Sequence, residues 1–292
     1  MGQTNCCATS NTDKDIQIDM DDTRDHDDHK KVRAPAKAKK IRVKKKGALL
    51  QAKPEPSAMV YEPDYDEDDI DSMLPDAPTL SEVQDNEIHH ELLKKSRAKA
   101  IDYWYEMKSK EWTFKKKSEG VELYIRPAEQ ENQIYIMRIM EVKGNQDYVT
   151  DYICDTQKLK EASHGISKIK EIEDLKFDSK IMYMSYKGTF VQGSRGFCYC
   201  TTKYDLKNGD GLIVNHSTEH PDMPKSHDIC GWTESETLIH TISGSHVRVT
   251  NVLKVNLNGN LPEANLKKNL PKTMMKEFIE LKTGMEKFYL IL

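Results

Sequence analysis

Thr273-Met274-Met275-Lys276-Glu277-Phe278-Ile279-Glu280-Leu281-Lys282-Thr283-Gly284-Met285-Glu286-Lys287-Phe288-Tyr289-Leu290-Ile291-Leu292 ends the chain, and its reading decides the fold. Met274, Phe278, Leu281, Met285, Phe288 and Leu292 fall at offsets of 4, 7, 11, 14 and 18, one apolar stripe on a helix. A helix with one apolar face must cover another layer. The preceding sequence supplies that layer as six strand-like segments, at 166–177, 180–190, 196–205, 212–219, 231–242 and 246–257. Asn208-Gly209-Asp210-Gly211 and Gly244 are hairpin turns between them. Links this short join antiparallel neighbours, because parallel strands need long crossovers.

Working outward, residues 145–154 and 156–163 read as two short helices ended by Gly165. Before them lie strand-like segments at 112–117, 121–126 and 134–142, with Gly120 separating the first two. Residues 87–107 contain Ile88, Leu92, Leu93, Ile101, Trp104 and Tyr105 without a proline, and predict a helix. The order is helix, three strands, two short helices, six strands, long helix. This is an α+β architecture: a curved antiparallel sheet of about nine strands wrapped around a long C-terminal helix, enclosing either a packed core or a cavity.

That order, over residues 85–292, resembles the steroidogenic-acute-regulatory-protein-related lipid-transfer (START) domain, a helix-grip fold. The residues that carry the likeness are Gly120-Val121-Glu122-Leu123-Tyr124 after Trp112, and Gly193-Ser194-Arg195-Gly196-Phe197. They continue with Leu212-Ile213-Val214 before Ser217, Glu219-His220-Pro221-Asp222-Met223-Pro224, Gly259-Asn260-Leu261-Pro262 and the last helix. The family usually has Arg-Asp-Phe where this chain has Arg195-Gly196-Phe197, so a carboxylate beside the arginine is missing. A Trp-Asp pair after the second short helix is missing too. The resemblance implies a non-enzymatic protein that holds one lipid between sheet and terminal helix, without cofactor or metal.

Candidate lipid-binding residues follow from the same pattern. Met182, Met184 and Tyr186 alternate onto one strand face, and methionine adapts well to flexible acyl chains. Phe278, Leu281 and Met285 belong to the helical stripe that would act as a lid. Arg138 and Arg248 each interrupt an apolar strand, and Arg195 is a third candidate. A charge in such a strand either points to solvent or needs a partner, and an inward arginine would hold a phosphate or carboxylate headgroup.

The chain before residue 85 has a different character. Residues 13–28 are mainly acidic, residues 30–46 carry Lys or Arg at ten positions with no acid, and residues 62–76 are acidic again. The net charge of −4 hides this alternation. Few large apolar residues interrupt the runs, and Pro35, Pro54, Pro56, Pro63, Pro75 and Pro78 break helices. Residues 1–84 are therefore expected to be a disordered tail. At its start, Met1-Gly2-Gln3-Thr4-Asn5-Cys6-Cys7 offers Gly2 for myristoylation, and Cys6 and Cys7 for palmitoylation. Cys6 stands where the acylation pattern has Ser or Thr. One myristoyl chain anchors only marginally, so the cysteines would supply the second signal. The basic run Lys30 to Lys46 would add attraction to anionic lipid of a cytoplasmic leaflet.

Other classes find little support. No apolar run reaches the ~20 residues of a membrane span, and no signal-peptide core is present. Cys154, Cys198, Cys200 and Cys230 lack zinc-site spacing and read as reduced, mostly buried thiols. No nucleophile elbow, phosphate loop or paired-carboxylate motif indicates catalysis, and no nucleic-acid module accompanies the basic run. The expected function is a membrane-tethered lipid-binding protein, cytoplasmic and peripheral. The alternative is a ligand-free scaffold whose tail threads onto a cytoskeletal or axonemal partner, placing the protein at a cilium or the cytoskeleton.

Overall fold

The computed structural model describes residues 70–127, 133–188, 193–224, 228–259 and 268–290. Its helices are α1 (Ile70–Met73), α2 (Glu87–Met107), α3 (Gln146–Cys154), α4 (Thr156–Ala162) and α5 (Leu270–Tyr289). The strands are β1 (Thr113–Ser118), β2 (Val121–Arg126), β3 (Gln133–Lys143), β4 (Ile166–Lys176) and β5 (Ser179–Tyr186). They continue as β6 (Arg195–Asp205), β7 (Gly211–Ser217), β8 (Ile229–Cys230), β9 (Trp232–Ser243) and β10 (His246–Asn256). The sheet runs β1-β2-β3-β10-β9-β7-β6-β5-β4, antiparallel throughout, with the two-residue β8 added in parallel to β6. The expected α+β helix-grip fold is present. The additional strand, β8, is too short to leave a pattern in the sequence.

Helix starts follow their local chemistry. Asn86 Oδ1 accepts from the His89 amide at 3.1 Å, and Asn145 Oδ1 from Tyr148 at 2.8 Å. Asp155 Oδ1 accepts from both Gln157 and Lys158, and Pro271 occupies the first turn of α5, where its missing N–H costs nothing.

The sheet buries both faces. On β3, Ile134, Ile136, Met140 and Val142 pack with Phe278 and Met285 of α5. The alternate residues Tyr135 and Met137 pack with Tyr103 of α2 and with Trp112. Helix α2 also covers β7 and β9, where Ala100 and Trp104 meet Leu212, Val214 and Leu238. On this face Glu173 accepts from or pairs with two imidazoles, His89 and His220, each at 2.9 Å, tying α2 and the segment after β7 to β4.

Three expectations need correction. Part of residues 70–84, placed in the tail, packs on the domain: Ile70, Met73 and Leu74 are buried with Trp104 and Tyr204, and Arg97 donates to the carbonyls of Asp71 and Pro75. The charge-run reading missed them because their apolar residues stand singly among acids and prolines. Residues 1–69, with Gly2, Cys6, Cys7 and Lys30 to Lys46, lie outside the described residues. Second, the face α5 buries is Pro271, Met275, Phe278 and Met285, with Met274 turned to a cavity and Phe288 against the Tyr152 ring at its exposed end. Leu292 lies outside the described residues. Third, of the four cysteines only Cys198 and Cys200 are buried; Cys154 is exposed and Cys230 half-buried.

Candidate functional site: a cavity beneath the last helix

A cavity of about 370 Å³ lies between the N-terminal half of α5 and the sheet face it covers. Its walls are mainly apolar: Ile153 and Leu159 from α3 and α4, Met184 and Phe197 from the sheet, Leu253 and Val255 from β10, and Met274, Phe278 and Leu281 from α5. A row of small polar groups, Thr233, Ser235 and Thr237, comes from alternate positions of β9. An apolar chamber with few polar groups is the usual form of a small-molecule site.

The polar centre is built on Arg138. It has the parity of Ile136 and Met140, so β3 directs it under α5. Asn251 stands opposite it in the β3–β10 ladder. Arg138 Nε donates to Asn251 Oδ1 at 3.1 Å, and Nη2 donates to the same oxygen. The Asn251 amide is itself fixed, because Nδ2 donates to Thr237 Oγ1 at 2.9 Å and to the Glu236 carbonyl at 3.2 Å. Arg138 Nη1 reaches the Met274 carbonyl at 3.4 Å, and the guanidinium lies 4.6 Å over the Phe278 ring. Burial lowers the pKa of this arginine, and Glu277 partly opposes that.

Glu277 is the acid of the wall among the described residues. Burial pushes its carboxyl up to about 7; Arg138 and Lys276 pull it down, while Glu280 adds to the rise. Tyr186 also lines the cavity, and burial together with Glu277 holds its phenol well above the ordinary value.

The structure sorts the expected site residues clearly. Arg138, Met184, Tyr186, Arg195, Phe278 and Leu281 line the cavity. Met182 and Met285 do not: both are buried in the adjoining core. Strand alternation placed Met182 on the correct face, but depth along the strand, which alternation does not encode, puts it beyond the chamber. Met285 lies two turns past Phe278, where α5 has left the cavity and packs beside α3, with Tyr148 Oη donating to its carbonyl at 2.6 Å. Arg248 has the parity of Val252, faces away from α5, and pairs with Glu141 at 2.8 Å.

Arg195 has another role than the one expected. Its Nε donates to the Leu257 carbonyl at 2.8 Å, and its remaining nitrogens donate to the carbonyls of Gly193 and Asn258. It clamps the start of β6 to the end of β10 at the cavity rim. Beside it, a Cβ at Gly196 would lie 2.7 Å from Tyr183 Oη. Tyr183 and Ser185 donate to Asp228 Oδ2 at 2.6 and 2.8 Å. A carboxylate thus reaches this neighbourhood from the segment before β8, and the aromatic ring explains the glycine.

Sequence reasoning missed Asn251 and Glu277. Glu277 carried a signal: it lies three residues after Met274 and one before Phe278, an acid inside the apolar stripe. Asn251, in Val249-Thr250-Asn251-Val252, carried only its polarity within an apolar strand.

A helix closing over a two-faced antiparallel sheet, with an apolar chamber between them, defines a helix-grip fold. The START domain family matches residues 102–288, and the chain belongs to that family. Among solved structures, human StAR-related lipid transfer protein 5 superposes with a TM-score of 0.60 at 14% identity, covering 72% of this chain and 100% of that one. Human STARD10 gives 0.59 at 17% identity over 65% of this chain and 79% of that one. The human StarD13 (DLC2) lipid transfer and protein localization domain gives 0.55 at 18%, over 64% and 95%. A search of curated proteins finds no match.

Proposed function

We propose that this chain is a lipid-binding protein that carries one lipid beneath α5 and is tethered to the cytoplasmic leaflet of a membrane. Membership of the START family supports lipid binding or transfer. The observation that carries the reading is the chamber of about 370 Å³, with mainly apolar walls and a polar centre built on Arg138. In this reading the polar groups of the wall orient a ligand. The scaffold reading, with its cytoskeletal or axonemal partner, expected a filled interior, and a chamber of this size weighs against it.

Tethering rests on Gly2, Cys6 and Cys7, with the basic run of residues 30–46 as the electrostatic contribution. A domain held this way exchanges lipid locally, at its own membrane or one apposed to it.

Native mass spectrometry of protein incubated with a total lipid extract tests binding; an unchanged apo mass across all lipid classes refutes it. Membrane fractionation tests the anchor. Gly2→Ala should move the protein to the soluble fraction, and Cys6→Ser with Cys7→Ser should make attachment transient. Unchanged fractionation of Gly2→Ala would overturn the anchor and leave lipid binding untouched.

A further inference from the structure

Arg138 is a cation in an apolar chamber, and no carboxylate among the described residues comes within ion-pair distance of it. Its nearest acid, Glu277, shares the wall but forms neither an ion pair nor a hydrogen bond with any described residue. Buried charges are normally paired, so this arrangement is incomplete without an anion. The guanidinium is nonetheless rigidly aimed. Asn251 holds Nε and Nη2, the Met274 carbonyl holds Nη1, and the Phe278 ring supports its face. That leaves one N–H on each terminal nitrogen, the fork that a carboxylate meets with two parallel hydrogen bonds.

Size narrows the ligand. About 370 Å³ lies at the small end of the ~300–1,000 Å³ range of ligand pockets, enough for one hydrocarbon tail and not for two chains with a large headgroup. We propose that the cavity binds a single-tailed carboxylate amphiphile, a fatty-acid-like molecule, with its carboxylate on Arg138 and its tail running among Met184, Phe197, Leu253 and Leu281. This deepens the lipid-binding reading and rests on it.

A carboxylate at Arg138 also sits beside Glu277. The groups facing Glu277 are Arg138 from β3, Tyr186 from β5, and Lys276 and Glu280 on its own helix. His164, from the link between α4 and β4, is 3.5 Å from Glu280. Two carboxylates side by side cannot both stay ionised cheaply, so anion binding draws a proton onto Glu277. With that carboxyl near 7 in the free protein, affinity should rise as pH falls, by about tenfold from pH 8 to pH 6.

The test compares laurate, its neutral methyl ester and dodecyl phosphate by competition on delipidated full-length protein. Laurate should bind at least about tenfold more tightly than methyl laurate. Arg138→Gln should abolish that difference. Glu277→Gln should flatten the pH dependence of laurate binding. Equal binding of laurate and methyl laurate, or a preference that survives in Arg138→Gln, overturns the proposal; preferential capture of dodecyl phosphate overturns the carboxylate assignment. Should Arg138→Gln fail to fold, the pH dependence of the wild-type protein decides alone, and a flat profile refutes. Binding of the ester without preference sinks only this inference, whereas no binding of any amphiphile or sterol sinks the lipid reading itself.

Discussion

Replacing Glu277 by glutamine isolates what one buried carboxyl costs this fold. In the unfolded chain the group loses its proton near 4.5; in the cavity wall burial holds it until about 7. Between those values the native state binds more protons than the unfolded state, so stability falls as pH rises, and it levels off above about 7. At ~1.4 kcal/mol per pH unit the full loss is about 3 kcal/mol. Glutamine does not ionise and removes this contribution. The stability of Glu277→Gln relative to wild type should therefore improve by up to about 3 kcal/mol between pH 5 and pH 8, or roughly 6–12 °C in Tm for a domain this size. The assay is urea unfolding of delipidated protein at several pH values, plotted as the difference between variant and parent so that other titrating groups cancel. A difference curve flat to within about 0.5 kcal/mol would mean that Glu277 is solvated, and the account of the polar centre would fall with it.

Two further outcomes follow from packing. Gly196→Ala should cost about 1–3 kcal/mol because its Cβ meets Tyr183 Oη at 2.7 Å, and Tyr183→Phe should relieve part of that cost. Strictly additive urea midpoints in the double variant would refute the clash. A chain beginning at residue 85 should be at least about 3 kcal/mol less stable than one beginning before Ile70, since Ile70, Met73 and Leu74 would be missing from the α2 face. Limited proteolysis should accordingly leave a fragment that starts before Ile70; a stable fragment starting near residue 85 would contradict it.

The fold was largely legible because its signals are periodic. Alternation marks the strands, the offsets of Met274, Phe278, Leu281 and Met285 mark α5, and Asn208-Gly209-Asp210-Gly211 marks its hairpin. The site was less legible because a sheet buried on both faces erases the alternation that tells inside from outside. Ile134-Tyr135-Ile136-Met137-Arg138-Ile139-Met140 is apolar at nearly every position, so nothing local says that Arg138 points under α5. Arg248 posed the same problem on β10 and resolved the other way. The deciding fact is the pairing of Arg138 with Asn251, 113 residues away, which only the register of β3 on β10 brings about.

The two inward arginines also divide a task between them. Arg195 occupies the place where the family usually has Arg-Asp-Phe, yet its guanidinium is spent on the carbonyls of Gly193, Leu257 and Asn258. The position beside it is glycine, kept small by the Tyr183 ring that Asp228 holds. Arg195 therefore shapes the rim, with each of its three nitrogens held by a backbone carbonyl. Arg138 keeps unspent N–H groups facing an apolar space, and the acid nearest to it stands on the covering helix rather than on the sheet. Because Glu277 and Phe278 move with α5 while Arg138 and Asn251 belong to the sheet, lifting the helix would separate the acid and the supporting ring from the cation together. Ligand release by movement of α5 would thus expose Glu277 to water and return its carboxyl toward the ordinary range. A proton taken up with an anionic ligand would leave with it.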